Sequence, residues 1–336
     1  MLMRYSTGFC LLMSLTWMAC SKSSDDTTTV GNWVHKVDYK GAARSEAVSF
    51  TIADTAFVGT GYDGTNRLKD FYSYDAERNT WTQRASLPDA APGRNSAVAF
   101  AVGGKGYMGT GTDGVNKFND FYEYDPASNA WTAKTPFPGT PRYGAVGFAV
   151  AGNGYIATGY DGTWLNDTYQ YNPGSNSWSS KSDVPNSKRQ DASAFVIGDS
   201  AYIVAGTSNL TTISELSRYD PKTDTWILKR AVTNVSDDDY DNDYSSIAGS
   251  NCSVFVMNSK AYLATGAKPS ISNVVWEYDP VTDLWDLKQP FEGTARTGAV
   301  GFAIKNRGFV TTGSSGSVQL SDTWEFNPTQ DFNKND

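Results

Sequence analysis

Histidine is almost missing from this sequence. His35 is the single one, so a metal centre that needs several imidazole ligands cannot be built, and Ser-His-Asp or Cys-His catalysis would have to be assembled around that one residue. Cysteine is scarce too: Cys10, Cys20 and Cys252. Cys10 lies in an apolar leader and Cys20 just after it, so no intramolecular disulfide is left once the leader is removed. Basic runs are lacking, and the net charge is −8, which argues against nucleic acid and against electrostatic docking on a membrane. No segment carries a convincing helical period. No glycine-rich phosphate loop stands between a strand and a helix, and the many glycines read as turn residues. The longest apolar stretch, Phe9 to Ala19, is too short to span a bilayer.

What is present is repetition. Aligned on the glycine that closes a T-G or A-G pair, the chain shows six units, at Gly61, Gly111, Gly159, Gly206, Gly266 and Gly313. An aromatic stands four residues before each of these glycines, and seventeen before it stand Arg44, Arg94, Arg142, Arg189, Gly249 and Arg296. The fifth unit has thus lost its arginine. A small residue follows the arginine position by three (Ala47, Ala97, Ala145, Ala192, Cys252, Ala299), and phenylalanine follows it by six in every unit. Cys252 replaces alanine and reads as a packed thiol, not a nucleophile.

Each unit reads as four short strands. The first is expected to run from the arginine to the phenylalanine, the second to end at the glycine. Asp-Gly turn signals follow in the first three units. The third strand alternates with period two, as in Tyr72 and Tyr74 or Trp276 and Tyr278, and a tryptophan opens the fourth. Trp33 lies eleven residues before Arg44, as Trp131, Trp178 and Trp285 lie before the next arginine position. It therefore opens a fourth strand with no three before it. The last unit has three strands and no fourth. The N-terminal strand is expected to complete the last unit and close a ring, protecting its edges.

The unit resembles the kelch repeat. The likeness rests on the arginine, the aromatic before the glycine, the Tyr-Asp of the third strand and the tryptophan six residues later; it covers about residues 33 to 328, within a propeller domain expected at 33–330. It implies an all-β, six-bladed β-propeller of four-stranded blades. It also implies that the loops between second and third strands share one face with the loops leading into the first, around a channel mouth. Some kelch propellers are copper oxidases of the galactose-oxidase type. They need histidine ligands that this chain does not have.

Residues 1–19, with Arg4 before the apolar stretch, read as a secretory signal peptide. Leu15 upstream and Cys20 directly after Ala19 resemble a bacterial lipobox, which implies a lipid thioether at Cys20; ordinary cleavage with an incidental cysteine is the alternative. Residues 20–32 are a polar tether. Asp25 and Asp26 within it are similar to the export signal of surface lipoproteins in Bacteroidetes-type bacteria. An outer-membrane lipoprotein follows, at the cell surface or on the periplasmic side, touching membrane only through its lipid. Residues 331–336 form a tail.

Departures from the repeat mark candidate ligand contacts. Trp164 stands where the first two units have Arg67 and Lys117, and an exposed aromatic face suits a sugar. Arg94, Arg142 and Arg189, with Tyr143, are candidates at the mouth. Pairing of the arginines with Asp70, Asp120, Asp167 and Asp322, or Glu215 in the fourth unit, is the structural alternative. Before the fifth unit the tryptophan-to-glycine spacing is 40 residues instead of 28 or 30. The added S-D-D-D-Y-D-N-D-Y places Asp237, Asp238, Asp239, Tyr240, Asp241, Asp243 and Tyr244 on the expected ligand face. Asp237, Asp239, Asp241 and Asp243 are a possible calcium set, although the loop lacks EF-hand landmarks and a solvated acidic loop is the plainer reading. No other cofactor is implied.

Two functions stay open. One is a binding module for glycan or protein at the mouth. The other is a sugar-modifying enzyme, similar to a kelch sialic-acid mutarotase, using acid-base side chains there. Fold alone does not choose between them.

Overall fold

A computed structural model describes residues 30–335. The leader, Cys20 and most of the tether lie outside the described residues. Six four-stranded antiparallel sheets are arranged as the blades of a β-propeller. Blade 1 comprises Val48–Ile52, Thr55–Gly59, Phe71–Asp75 and Thr80–Arg84, from the axis outward. Blade 6 comprises Val300–Ile304, Arg307–Thr311 and Thr323–Asn327, and Asn32–Lys36 is its outer strand, with Trp33 opposite Phe326. Closure by the N-terminal strand is as expected. At the other end of the chain, the Asn333 N–H donates to the Asn32 side chain (2.8 Å).

The strand limits differ from the sequence reading. Arg44 precedes its strand by four residues, and Phe50 sits at the strand's middle. Gly61 lies two residues past the second strand; only in blade 3, where Asn153–Tyr160 runs on, is the glycine inside it. Both shifts have one cause. The arginine and glycine segments pair as single bridges, Ser45 with Tyr62 and its equivalents, before the regular ladder begins.

Packing repeats with the sequence. Each first-strand phenylalanine stacks on the aromatic of the second strand, with centroids 5.0–5.6 Å apart and planes within 7–24°. Glycine in the adjoining blade makes room: a Cβ at Gly154 would lie 2.0 Å from the Phe100 ring. At the rim, Asn79 and its equivalents hold two groups at once. Asn79 accepts from its own blade's Tyr74 hydroxyl (2.8 Å) and from the Val37 N–H of the blade before (3.1 Å). The outer tryptophans of five blades donate their indole N–H across the seam to a backbone carbonyl, at 2.9–3.4 Å.

The acidic insertion does not stand at the mouth. In blades 1, 3 and 6 the residue six after the previous tryptophan is also five before the arginine: Tyr39, Phe137 and Phe291. Each packs edge-on against aromatics of its blade. In blade 5 this position is split. Val232 keeps the backbone bond to Ser214, while Tyr244, five before Gly249, packs on Trp276 (5.6 Å) and accepts from the Trp285 N–H (2.6 Å). The insertion lies between the two. Tyr244 is therefore core, with 1% exposure. Tyr244→Ala is expected to lower stability by about 3–5 kcal/mol, as for a truncated core aromatic; an unchanged melting temperature would show that the loop merely overlies the seam.

Candidate functional site

The innermost turn of each blade begins two residues after the arginine position. Glu46, Ser96, Gly144, Asp191, Asn251 and Gly298 stand there, all left-handed, with φ between 50° and 63°. Each N–H donates to the carbonyl of its counterpart in the preceding blade, and Glu46 to Gly298, giving a closed ring of backbone hydrogen bonds at 2.7–3.2 Å. Four non-glycine residues in this conformation carry strain of order 1–3 kcal/mol each, held in place by the ring. The side chains leaving it point to the axis. Glu46 and Asp191, three blades apart, face the mouth from opposite sides.

A recess of about 280 Å³ opens there. Blade 1 contributes Glu46 and Arg67, blade 2 Asn95, Ser96, Thr112 and Gly114, blade 3 Tyr143, blade 4 Asp191 and blade 5 Asn251. Glu46 is engaged: its carboxylate accepts from the Asn95 amide and from the Ser96 hydroxyl (2.5 Å). Arg67 is held rigidly. Its Nε donates to Asn95 Oδ1 (3.0 Å), its guanidinium lies 4.1 Å above the Tyr62 ring, and a Cβ at Gly114 would come within 2.9 Å of its Cζ. Its terminal nitrogens have no partner among the described residues. The same holds for the Tyr143 hydroxyl, the Asn251 amide and one oxygen of Asp191. Four polar groups not used by the fold thus converge from four blades.

Asp191 is the electrostatic centre. Burial pushes its carboxyl up to about 6, against the bond from the Gln190 amide (2.9 Å) and with help from the charge on Glu46. Gly144 makes its place, since a Cβ there would lie 2.6 Å from Asp191 Oδ1. Tyr143 is raised by burial and then by Asp191. The sign of the linkage follows. A carboxyl higher in the folded than in the unfolded state loses stability as pH rises from about 4 to about 6. Asp191→Asn is accordingly expected to melt higher than the parent at pH 7.5 and level with it at pH 4. A variant no more stable at pH 7.5 would show that Asp191 ionises without cost.

Of the residues singled out from the sequence, Tyr143 alone lines this recess. Arg94, Arg142 and Arg189 are 0–1% exposed. Their guanidinium groups pair with Asp120, Asp167 and Glu215 and donate to the Thr110, Thr158 and Ala205 carbonyls at 2.9–3.1 Å. They are the frame of the blades, which leaves them no surface for a ligand. Trp164 is partly buried and stands behind Tyr160 (5.3 Å), which meets Tyr143 (5.6 Å). Asp241 is buried and accepts from the Val235 and Ser236 N–H groups at 2.9 and 3.0 Å. Asp237, Asp239, Asp243 and Tyr240 ride on the insertion at the blade 4–5 seam, where Tyr240 accepts from Arg230 (2.8 Å). Among the described residues no group of three or more His, Cys, Asp or Glu, the four aspartates of the insertion included, is placed to hold a metal ion. Cys252 lines the channel, with its thiol pushed up to about 12 by burial, as fits a packed residue.

Sequence reasoning missed Glu46, Arg67, Asp191 and Asn251. A signal existed: two residues after a nearly invariant arginine, the six units carry Glu, Ser, Gly, Asp, Asn and Gly.

Comparison with known proteins agrees with this architecture. A Kelch motif model matches residues 188–228, which span blade 4 from its arginine to its outer strand. The solved structure of YjhT superposes with a TM-score of 0.70 at 17% identity, covering 85% of this chain and 95% of that one; at that identity the likeness is one of fold. No curated protein matches the sequence. With the same residue frame repeated around the ring, the chain is a six-bladed β-propeller whose fourth blade matches the Kelch motif.

Proposed function

We propose that this propeller is an exported, lipid-anchored binding module, and that the recess at its mouth takes a carbohydrate. The observation that carries the reading is the convergence of the terminal nitrogens of Arg67, the Tyr143 hydroxyl, the Asn251 amide and one oxygen of Asp191, none used by the fold, in a recess of about 280 Å³. Ligand pockets place a few polar groups in this way, and a polyhydroxylated ring offers donors and acceptors to all four. Calorimetric titration against a panel of monosaccharides tests it. Asn251→Ala and Tyr143→Phe are each expected to weaken binding about tenfold, at about 1–1.5 kcal/mol per hydrogen bond, with the melting temperature unchanged. Binding that survives both substitutions sinks the site.

Export and anchoring rest on the leader and Cys20. Cys20→Ser is expected to abolish palmitate labelling and release the protein to the soluble fraction; labelling that persists refutes the anchor.

One observation favours a catalytic reading beside the binding one. A carboxyl raised to about 6 can both give and take a proton near neutrality, and it shares the recess with Glu46. That pair suits proton transfer at a sugar's ring oxygen and anomeric hydroxyl, as in a mutarotase. Exchange spectroscopy of sugar anomers separates the two: catalysis accelerates interconversion and is lost in Asp191→Asn, whereas a binding module leaves the rate unchanged.

A further inference from the structure

The recess does not end at Tyr143. Its ring meets Tyr160 edge-on at 5.6 Å, and Tyr160 meets Trp164 at 5.3 Å, so three rings run outward over blade 3. All three are partly exposed. Lys117 of blade 2 lies 5.8 Å over the Tyr160 ring. The row belongs to this blade alone. The bridge that ends in Tyr160 and Trp164 here holds Tyr62 and Arg67 in blade 1 and Thr112 and Lys117 in blade 2. Five of the outer tryptophans, buried or partly buried, spend their indole N–H on a carbonyl across a seam. Trp164 instead leaves its indole N–H without a protein partner beside solvent. A partly exposed indole with a free donor, touching a second ring and in line with a polar recess, has the form of a stacking platform.

Resting on the carbohydrate reading of the recess, we infer that this ledge is a second subsite and that the ligand is an oligosaccharide, one unit seated among Arg67, Asp191 and Asn251 and the next stacked over Tyr160 and Trp164. The continuity of ledge and recess favours a chain over a separate partner. Aromatic platforms also accept sugars by their apolar faces without demanding one pattern of hydroxyls, so the recess reads the terminal unit while the ledge measures length.

The test uses the whole protein and three series of one to four units each: glucans, galactans and oligogalacturonates. For the series whose monosaccharide binds, affinity is expected to rise about tenfold or more from one unit to three. Trp164→Ala should erase that gain while leaving monosaccharide affinity within about twofold and the melting temperature unchanged; Trp164→Phe should restore most of it. Equal affinity for one and three units, or a gain that persists in Trp164→Ala, overturns the ledge and leaves the recess standing. Absence of binding in every series overturns both.

Discussion

Replacing Asp120 by asparagine is expected to cost about 3–5 kcal/mol, the typical penalty for stripping the partner from a buried charge. Arg94 is fully buried, whereas the Asp120 side chain is 30% exposed, so the charge left behind is the one that water cannot reach. Arg94→Met should be comparably damaging for another reason. It deprives the Thr110 and Pro92 carbonyls of their donor and leaves a void against Phe118, whose ring lies 4.6 Å from the guanidinium. Removing both charges should cost less than the two single losses together. The fold already contains that experiment. Blade 5 has Gly249 for the arginine and Val274 for the carboxylate, with the Thr265 N–H bonding the Val274 carbonyl as the Thr60 N–H bonds that of Asp70. Charge and countercharge are absent together in this blade, and Tyr244, Ile247 and Val274 pack against one another there. One trace remains. The Trp276 indole N–H is buried without a partner, while its blade 6 counterpart Trp324 donates to Asp322 at 2.7 Å. Denaturant midpoints of the two single variants and the double variant decide the matter; an Asp120→Asn protein within about 1 kcal/mol of the parent would mean that Arg94 is not held at cost.

The second large effect is at the closure. A chain trimmed to begin at Val30 should melt like the parent, and one trimmed to begin at Lys40 should lose the cooperative transition. The longer cut removes the whole ladder opposite Thr323–Asn327. It also removes Trp33, which is fully buried against Phe255, Phe291 and Phe326 at centroid distances of 4.7–6.2 Å. Trp33→Ala alone should cost about 3–5 kcal/mol. Thr323–Asn327 would become a bare edge with Phe326 uncovered, so aggregation should accompany the loss. Superimposable melts of the two trimmed chains would place the seal of the ring elsewhere.

Blade number, strand order and closure were legible because they depend on spacing, and spacing is what a sequence displays. Trp33 could be assigned to blade 6 from its offset to Arg44 alone. The site was less legible for two physical reasons. The ring around the mouth selects a backbone conformation, and left-handed φ is compatible with Glu46, Ser96, Asp191 and Asn251 alike, so no residue type announces it. The recess then draws single side chains from different blades, and only closure of the ring brings Arg67 of blade 1 near Asp191 of blade 4. The acidic insertion misled in the opposite way. Its five aspartates are conspicuous, while the residue that fixes its place is Tyr244, whose offset from Gly249 equals that of Tyr39 from Arg44. Trp164 was found because it breaks the repeat, and Tyr160, which joins it to the recess, was not singled out because it lies just past Gly159, where the second strand was expected to end.

Strand direction fixes the face from which the N-terminal strand enters the ring. The outer strand of blade 6 runs antiparallel to Thr323–Asn327, with Lys36 at the end nearest Asp322 and the mouth and Asn32 at the other. Whatever leads into Val30 from upstream therefore arrives at the face opposite the recess. Were Cys20 to carry a lipid, ten residues before Val30, that opposite face would turn to the bilayer and the mouth would point into the surroundings. An anchored copy would then hold its polar cup away from the membrane beneath it, presented outward like a dish on a stalk.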